Sequence, residues 1–254
     1  MLLAELMDTS VQVGQVLIPA RSVESFLGGF AQHLVVWNHD EVFKISLIGS
    51  CSPVKYRERY FVLCTKHQID GVNPPDLCLL RSDGSSAVTS NGVRYWSLPE
   101  YSKDTDAYDL VILDFTEACE AEADLRSLFF AFDSVPPNTT NEQVVALVGA
   151  GYPSSEQVYE IHENNHLGSV RRVFLLKPDG QPIDDAVLRG RTYAPTEFAA
   201  DGLSGGPVFV VQLLGQVATA YFAGIIQRGG GGYIHFLKSG LIKRALDATI
   251  DAQA

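Results

Sequence analysis

The sequence predicts an all-β chain, a sandwich or a barrel, that ends on a single helix. Three observations predict it. Short apolar runs rich in β-branched and aromatic residues recur along the chain. Turn formers, among them 22 Gly and 12 Pro, separate those runs. Only the last stretch carries a clear 3.6-residue period. With 254 residues, 46% of them hydrophobic, the chain can bury a sizeable core as one large domain or as two packed halves.

Taken in order, strands are expected over 11–18, 42–48, 59–65, 93–96, 110–115, 144–148, 158–163, 170–176, 208–214, 218–227 and 233–236, each an apolar run bounded by turn residues. Helix is expected over 22–34 and again from Ser239, where Leu241, Ile242, Ala245, Leu246, Thr249 and Ile250 fall on one face. Between Phe115 and Val144 the composition turns acidic at Glu117, Glu120, Glu122 and Asp124, then turn-rich at Pro136, Pro137 and Asn138. That shift reads as the connection between an N-terminal half, 1–125, and a C-terminal half, 126–254.

Charge and cysteine content narrow the partners. The formal net charge is −11, a surface that phosphate backbones and anionic lipid repel, so neither nucleic acid nor membrane is an expected partner. Cys51, Cys64, Cys78 and Cys119 form no CxxC pair and are too few for a disulfide scaffold. Glu5 and Asp8 precede the first basic residue, Arg21, which is the wrong order for a secretory leader, and a cytoplasmic location is expected. The 26 residues from Gly202 to Gln227 carry no charge and are long enough to span a bilayer. Pro207, Gln212, Gly215, Gln216 and Gly224 interrupt them, however, as two buried strands joined by a turn require.

The chemistry concentrates in Gly202-Leu203-Ser204-Gly205-Gly206-Pro207, set just before an apolar strand. A serine hydroxyl becomes a useful nucleophile only when a base takes its proton and N–H donors stabilise the oxyanion. Gly202 and Ser204 would supply those donors, Gly205 and Gly206 would let the backbone approach closely, and Pro207 would fix φ where the strand begins. A base and an orienting carboxylate should then lie elsewhere in the chain. His67 follows the 59–65 run and Asp109 opens the run Leu110-Val111-Ile112-Leu113, so both fall at strand ends.

The order His67, Asp109, Ser204, spaced 42 and 95 residues apart and joined to GxSGGP, resembles the trypsin-like, chymotrypsin-fold serine peptidases, and an intracellular, bacterial-type member in particular. The resemblance covers nearly the whole chain. It implies two six-stranded antiparallel barrels with a C-terminal helix, a catalytic cleft between them, peptide-bond hydrolysis in protein or peptide substrates, and no cofactor. Residues 224–229 resemble the strand that binds substrate backbone, which points to Gln227, Arg228 and Gly229. Counting six residues back from Ser204 puts Phe198 at the base of the first side-chain pocket, favouring an apolar or small side chain there; a one-residue slip would put Glu197 in its place. Leu203 stands where digestive members carry the acidic residue of their activation ion pair, so restraint by a regulatory protein partner, a closed pocket or narrow specificity is expected instead. Gln68 replaces the cysteine that usually follows the histidine. Lys66, just before His67, is a cation expected to disfavour the imidazolium unless its side chain points away.

Three rivals compete. His162, Glu163 and His166 match HExxH, a helical zinc motif, but Asn164, Asn165 and Gly168 favour a hairpin tip, so no metal is expected. Gly202, Ser204 and Gly206 also match GxSxG, yet only His235 follows as a base and Pro207 would break the helix a nucleophile elbow starts. A catalytically silent binding module of the same shape is the third.

Overall fold

The computed structural model describes residues 9–81, 84, 86–96, 106–138, 141–160, 166–179, 186–193 and 198–252. Its C-terminal half is a closed barrel of six antiparallel strands. These are β11 (Val144–Gly151), β14 (Arg172–Pro178), β15 (Val187–Thr192), β18 (Tyr233–Lys238), β17 (Val217–Gly230) and β16 (Pro207–Leu214), which returns to β11. A separate two-stranded antiparallel pair, β12 (Val158–Glu160) with β13 (His166–Gly168), lies outside its pairings. The N-terminal half is a curled sheet ordered β7 (Ala87–Thr89), β6 (Leu77–Leu80), β3 (Gln32–Trp37), β4 (Ile45–Tyr56), β5 (Arg59–Thr65), β9 (Leu110–Asp114), β8 (Gly92–Tyr95). Its pairings do not close among the described residues. The chain ends on α4 (Ser239–Asp251), as the 3.6-residue period requires.

The apolar runs lack a polar face because both faces of the central strands are buried. On β5, Val62 and Cys64 point into the N-terminal core, while Phe61 and Leu63 point into a core shared by the two halves. On β16, Val208 and Val210 fill the C-terminal barrel, and Phe209 and Val211 join the shared core. Such period-2 alternation between two apolar environments reads in sequence as an unbroken hydrophobic run. It also explains the uncharged stretch 202–227, which forms the β16–β17 hairpin. No helix among the described residues is long and apolar enough to cross a membrane.

Chain order and spatial order cross over at two places. The hairpin β1 (Ser10–Val13) and β2 (Val16–Pro19) adds to the C-terminal sheet, with β1 parallel to β17. Conversely β10 (Phe130–Ala131), beyond residue 126, pairs parallel with β4 of the N-terminal sheet. Between β9 and β10 the acidic connection forms two short helices, α2 (Thr116–Ala121) and α3 (Ala123–Arg126).

Three expectations change. The strand placed over 42–48 begins at Ile45, beyond the exposed Val42 and Phe43, and runs on to Tyr56 as β4. The helix placed over 22–34 is confined to α1 (Val23–Gly28); the chain breaks at Gly28-Gly29, and β3 follows because Leu34 and Val35 are wholly buried in register with β4 and β6. The strand placed over 11–18 is a hairpin turned at Gly14-Gln15.

Candidate active site

β5 and β9 are antiparallel neighbours, with Thr65 opposite Leu110. Their register carries His67, in the 3-10 turn that follows β5, alongside Asp109, which precedes β9; the Lys66 amide donates to the Asp109 carbonyl at 3.2 Å. The Asp109 carboxylate then holds the histidine twice. Oδ1 accepts the His67 backbone N–H at 3.1 Å and Oδ2 lies 2.8 Å from Nδ1. A carboxylate only accepts, so the proton sits on Nδ1 and the Nε2 lone pair is free. Ser204 Oγ, carried by the loop before β16 of the other half, lies 3.1 Å from that Nε2 and 2.9 Å from the Gln227 carbonyl, which accepts its proton in the alternative rotamer.

The Asp109 hydrogen bond raises the His67 pKa above its ordinary value, against an opposing desolvation, and the Asp109 charge adds to the rise. Lys66 is expected to disfavour the imidazolium unless its side chain points away; the net shift is upward, and the contact with Asp109 dominates it.

Every carbonyl from Asp201 to Gly205 has a donor. Asp201 O accepts from Ser154 N at 2.8 Å, Leu203 O from Gly206 N at 2.9 Å, and Gly202 O from Ser50 N at 3.0 Å and Ser50 Oγ at 2.7 Å. Ser204 O accepts from Gln68 Nε2 at 2.7 Å and Gly205 O from Ser52 Oγ at 2.7 Å. Of the loop amides, Leu203, Gly205 and Gly206 donate to backbone carbonyls, while those of Gly202 and Ser204 have no backbone acceptor among the described residues. In a trans peptide the carbonyl and the following N–H point opposite ways. Fixing Asp201 O on Ser154 and Leu203 O on Gly206 therefore aims the Gly202 and Ser204 N–H groups away from those two donors. Gly202, at φ +85°, has no room for a side chain: a Cβ would lie 2.5 Å from Ser154 Oγ and Tyr152 O.

His67, Asp109 and Ser204 line a cleft of about 810 Å³ with Lys66, Asp70, Asp106, Tyr108, Ala200, Asp201, Gln227, Arg228 and Gly229. Arg228 pairs with Asp106 at 2.6 Å, and Gln227 Nε2 donates to the Asp106 carbonyl at 2.6 Å. A smaller cavity of about 160 Å³ is bounded by Phe198, Ala199, Ala200, Leu203 and the glycines 230–232. The Phe198 ring is tilted against Phe174, with the Arg172 guanidinium 5.9 Å from its centre. Glu197, the alternative pocket residue, lies outside the described residues.

His162, Glu163, Asn164 and Asn165 also lie outside them, but His166 opens β13 opposite Glu160 in an antiparallel pair, so that end of the HExxH match is extended rather than helical. No group of His, Cys, Asp and Glu able to hold a metal occurs among the described residues. The four cysteines are free and buried; burial pushes the Cys78 thiol up to about 11 and Cys119 to about 12.

Sequence reasoning did not single out Ser50, Ser52 or Ser154. Two hydroxyl residues flanking Cys51 in the fully buried stretch of β4 were the available signal for Ser50 and Ser52, since a buried hydroxyl needs a partner.

No protein-family model and no curated protein matches the chain. The fold is the chymotrypsin-like double β-barrel, with one barrel closed and the other a curled sheet, and the candidate site lies in the cleft where they meet.

Proposed function

We propose that the chain is a trypsin-like serine endopeptidase that hydrolyses peptide bonds in protein or peptide substrates through an acyl-enzyme. The observation that carries this reading is the unbroken polar chain Asp109–His67–Ser204 beside two loop amides, Gly202 and Ser204, that have no backbone acceptor among the described residues. Ser204 Oγ attacks the scissile carbonyl carbon while its proton passes to His67 Nε2; Asp109 holds the resulting imidazolium. The carbonyl oxygen takes the negative charge against the Gly202 and Ser204 N–H groups. Nε2 then gives its proton to the leaving amine, and water, deprotonated by the same nitrogen, releases the acid and regenerates the hydroxyl. Gln227, Arg228 and Gly229 flank the substrate backbone. The small cavity, walled by Phe198, Ala199, Ala200 and glycines and offering no carboxylate among its lining residues, suits a small or apolar side chain.

A fluorophosphonate probe tests the reading. It should label the wild type on Ser204, with labelling abolished in Ser204→Ala and His67→Ala. Absence of label on wild-type protein would leave the catalytically silent binding module as the better description.

A further inference from the structure

One side chain touches both the histidine-bearing turn and the nucleophile loop. Gln68 Oε1 accepts from the Thr65 amide at 2.9 Å and from Thr65 Oγ1 at 2.6 Å, closing a reciprocal cap on the 3-10 turn that carries His67. Its Nε2 donates in the other direction, to the Ser50 carbonyl at 3.0 Å and to the Ser204 carbonyl at 2.7 Å. The part-buried carboxamide is thus fully used, with two bonds on each end. It lies in a slot that only glycines leave open: a Cβ on Gly49 would sit 2.8 Å from Nε2, and one on Gly205 2.7 Å from Oε1.

We infer that Gln68 is a positioning residue that clamps the base to the nucleophile across the seam between the two halves. The inference rests on the hydrolytic reading of Ser204 for its catalytic consequence, but the clamp itself is a statement about two segments. Among the described residues the other side-chain donors to the loop, Ser50 and Ser52, meet the His67 turn only through the Ser50 carbonyl that Gln68 itself holds. The bond between His67 and Ser204 is the one being set, and it is a single contact of 3.1 Å between two side chains, with His67 half exposed. Such a contact does not fix its own geometry; the backbone segments on either side must. A displacement of about 1 Å between reacting groups costs on the order of a hundredfold in rate.

The chemistry of the clamp separates two variants. Gln68→Leu keeps the bulk and loses all four bonds. Gln68→Glu keeps the acceptor end, but as a carboxylate it sets an anion against the Ser50 and Ser204 carbonyls; once protonated, its O–H donates to one of them and part of the clamp returns.

The test uses the full chain and two readouts: the rate of fluorophosphonate labelling at Ser204, and backbone hydrogen exchange over 65–68 and 202–206. Gln68→Leu should label about a hundredfold more slowly, and both segments should exchange faster. Compared below the His67 midpoint of both chains, where protonation of that base lowers each rate in proportion, the Gln68→Glu deficit should narrow as pH falls further, a pH dependence that a general loss of packing would not produce. Labelling of Gln68→Leu within twofold of wild type, or unchanged exchange in either segment, overturns the clamp. If wild type itself fails to label, the peptidase reading falls, and exchange alone decides whether Gln68 ties the segments. If Gln68→Leu does not fold, the pH dependence of Gln68→Glu decides, and a pH-independent deficit overturns the proposal.

Discussion

The two halves solve the same structural problem differently. The C-terminal half closes its six strands into a barrel, whereas the described pairings of the N-terminal half leave a curled sheet open between β7 and β8. Yet the nucleophile loop on the closed barrel is not held by that barrel alone. Ser154 and the loop's own Gly206 hold two of its five carbonyls, while Ser50, Ser52 and Gln68 reach across from the curled sheet to hold the other three. A core running from Leu63 and Ile112 to Phe209 and Ile225 joins the halves behind the loop. The site is therefore a property of the seam: its residues come from both halves, and neither half contains it.

The largest expected effect separates chemistry from that seam. Ser204→Ala and His67→Ala should each lower turnover by on the order of a millionfold if the three side chains act as a unit, while thermal unfolding stays within a few degrees of wild type. His67 is half exposed, so truncating it removes little buried surface. A large loss of stability in His67→Ala would show that the pair holds the halves together as well as reacting.

Asp109→Asn comes next, because it alters one side of the seam only. The amide cannot hold the same tautomer, and the rate should fall by about 10⁴. The pH profile sharpens the prediction. The Asp109 hydrogen bond raises the His67 pKa above 6.5, and the base must be neutral to accept a proton. Activity should therefore fall as pH drops through a midpoint above 6.5, and in Asp109→Asn that midpoint should move down. An unmoved midpoint in kcat/KM would mean that another group limits the reaction.

A third effect concerns stability rather than rate. His33, from β3, is stacked on Tyr152, just after β11, with ring centres 3.5 Å apart; it is buried, and neither nitrogen has a hydrogen-bond partner among the described residues. Burial lowers its pKa from 6.5 to about 4. The unfolded chain therefore binds the proton more readily. The stability concerned is present in full above about pH 6.5 and is lost as pH falls from there through about 4, a total of roughly 3 kcal/mol. Urea unfolding of wild type and His33→Phe at pH 7.5 and pH 4.5 checks this: the variant should lose less stability between the two values, and equal losses would show that His33 is not the sensor.

Much of this was legible from residue types alone. GxSGGP with His67 and Asp109 at strand ends named the three side chains that meet, because nucleophile chemistry demands those types and the strand ends were marked by clear apolar runs. The uncharged stretch resolved as a hairpin because Gly215 and Gln216 marked its turn. What stayed hidden depends on pairing across long separations. Nothing near Ser50 in the chain reveals that its hydroxyl donates to Gly202, 152 residues on. Gln68 was noticed only as a missing cysteine, since its four partners are fixed by the approach of the two halves. β3 was misread because Gln32 to Leu34 continue a helical pattern until tertiary burial between β4 and β6 overrides it.

The smallest effect belongs to the other tie across the seam. Arg228 and Asp106 form an ion pair at 2.6 Å beside the candidate site, but the arginine side chain is 49% exposed, so solvent and salt screen it. Exposed pairs of this kind contribute about 1 kcal/mol at most. The neighbouring bond from Gln227 Nε2 to the Asp106 carbonyl involves a side chain that is almost wholly buried, and a carbonyl abandoned there costs more than a screened charge. Arg228→Ala should thus lower stability by less than about 1 kcal/mol, with the difference shrinking at high salt, and Gln227→Ala should lower it more, with no salt dependence. The reverse order would mean that charge, and not the buried amides, holds the curled sheet against the barrel.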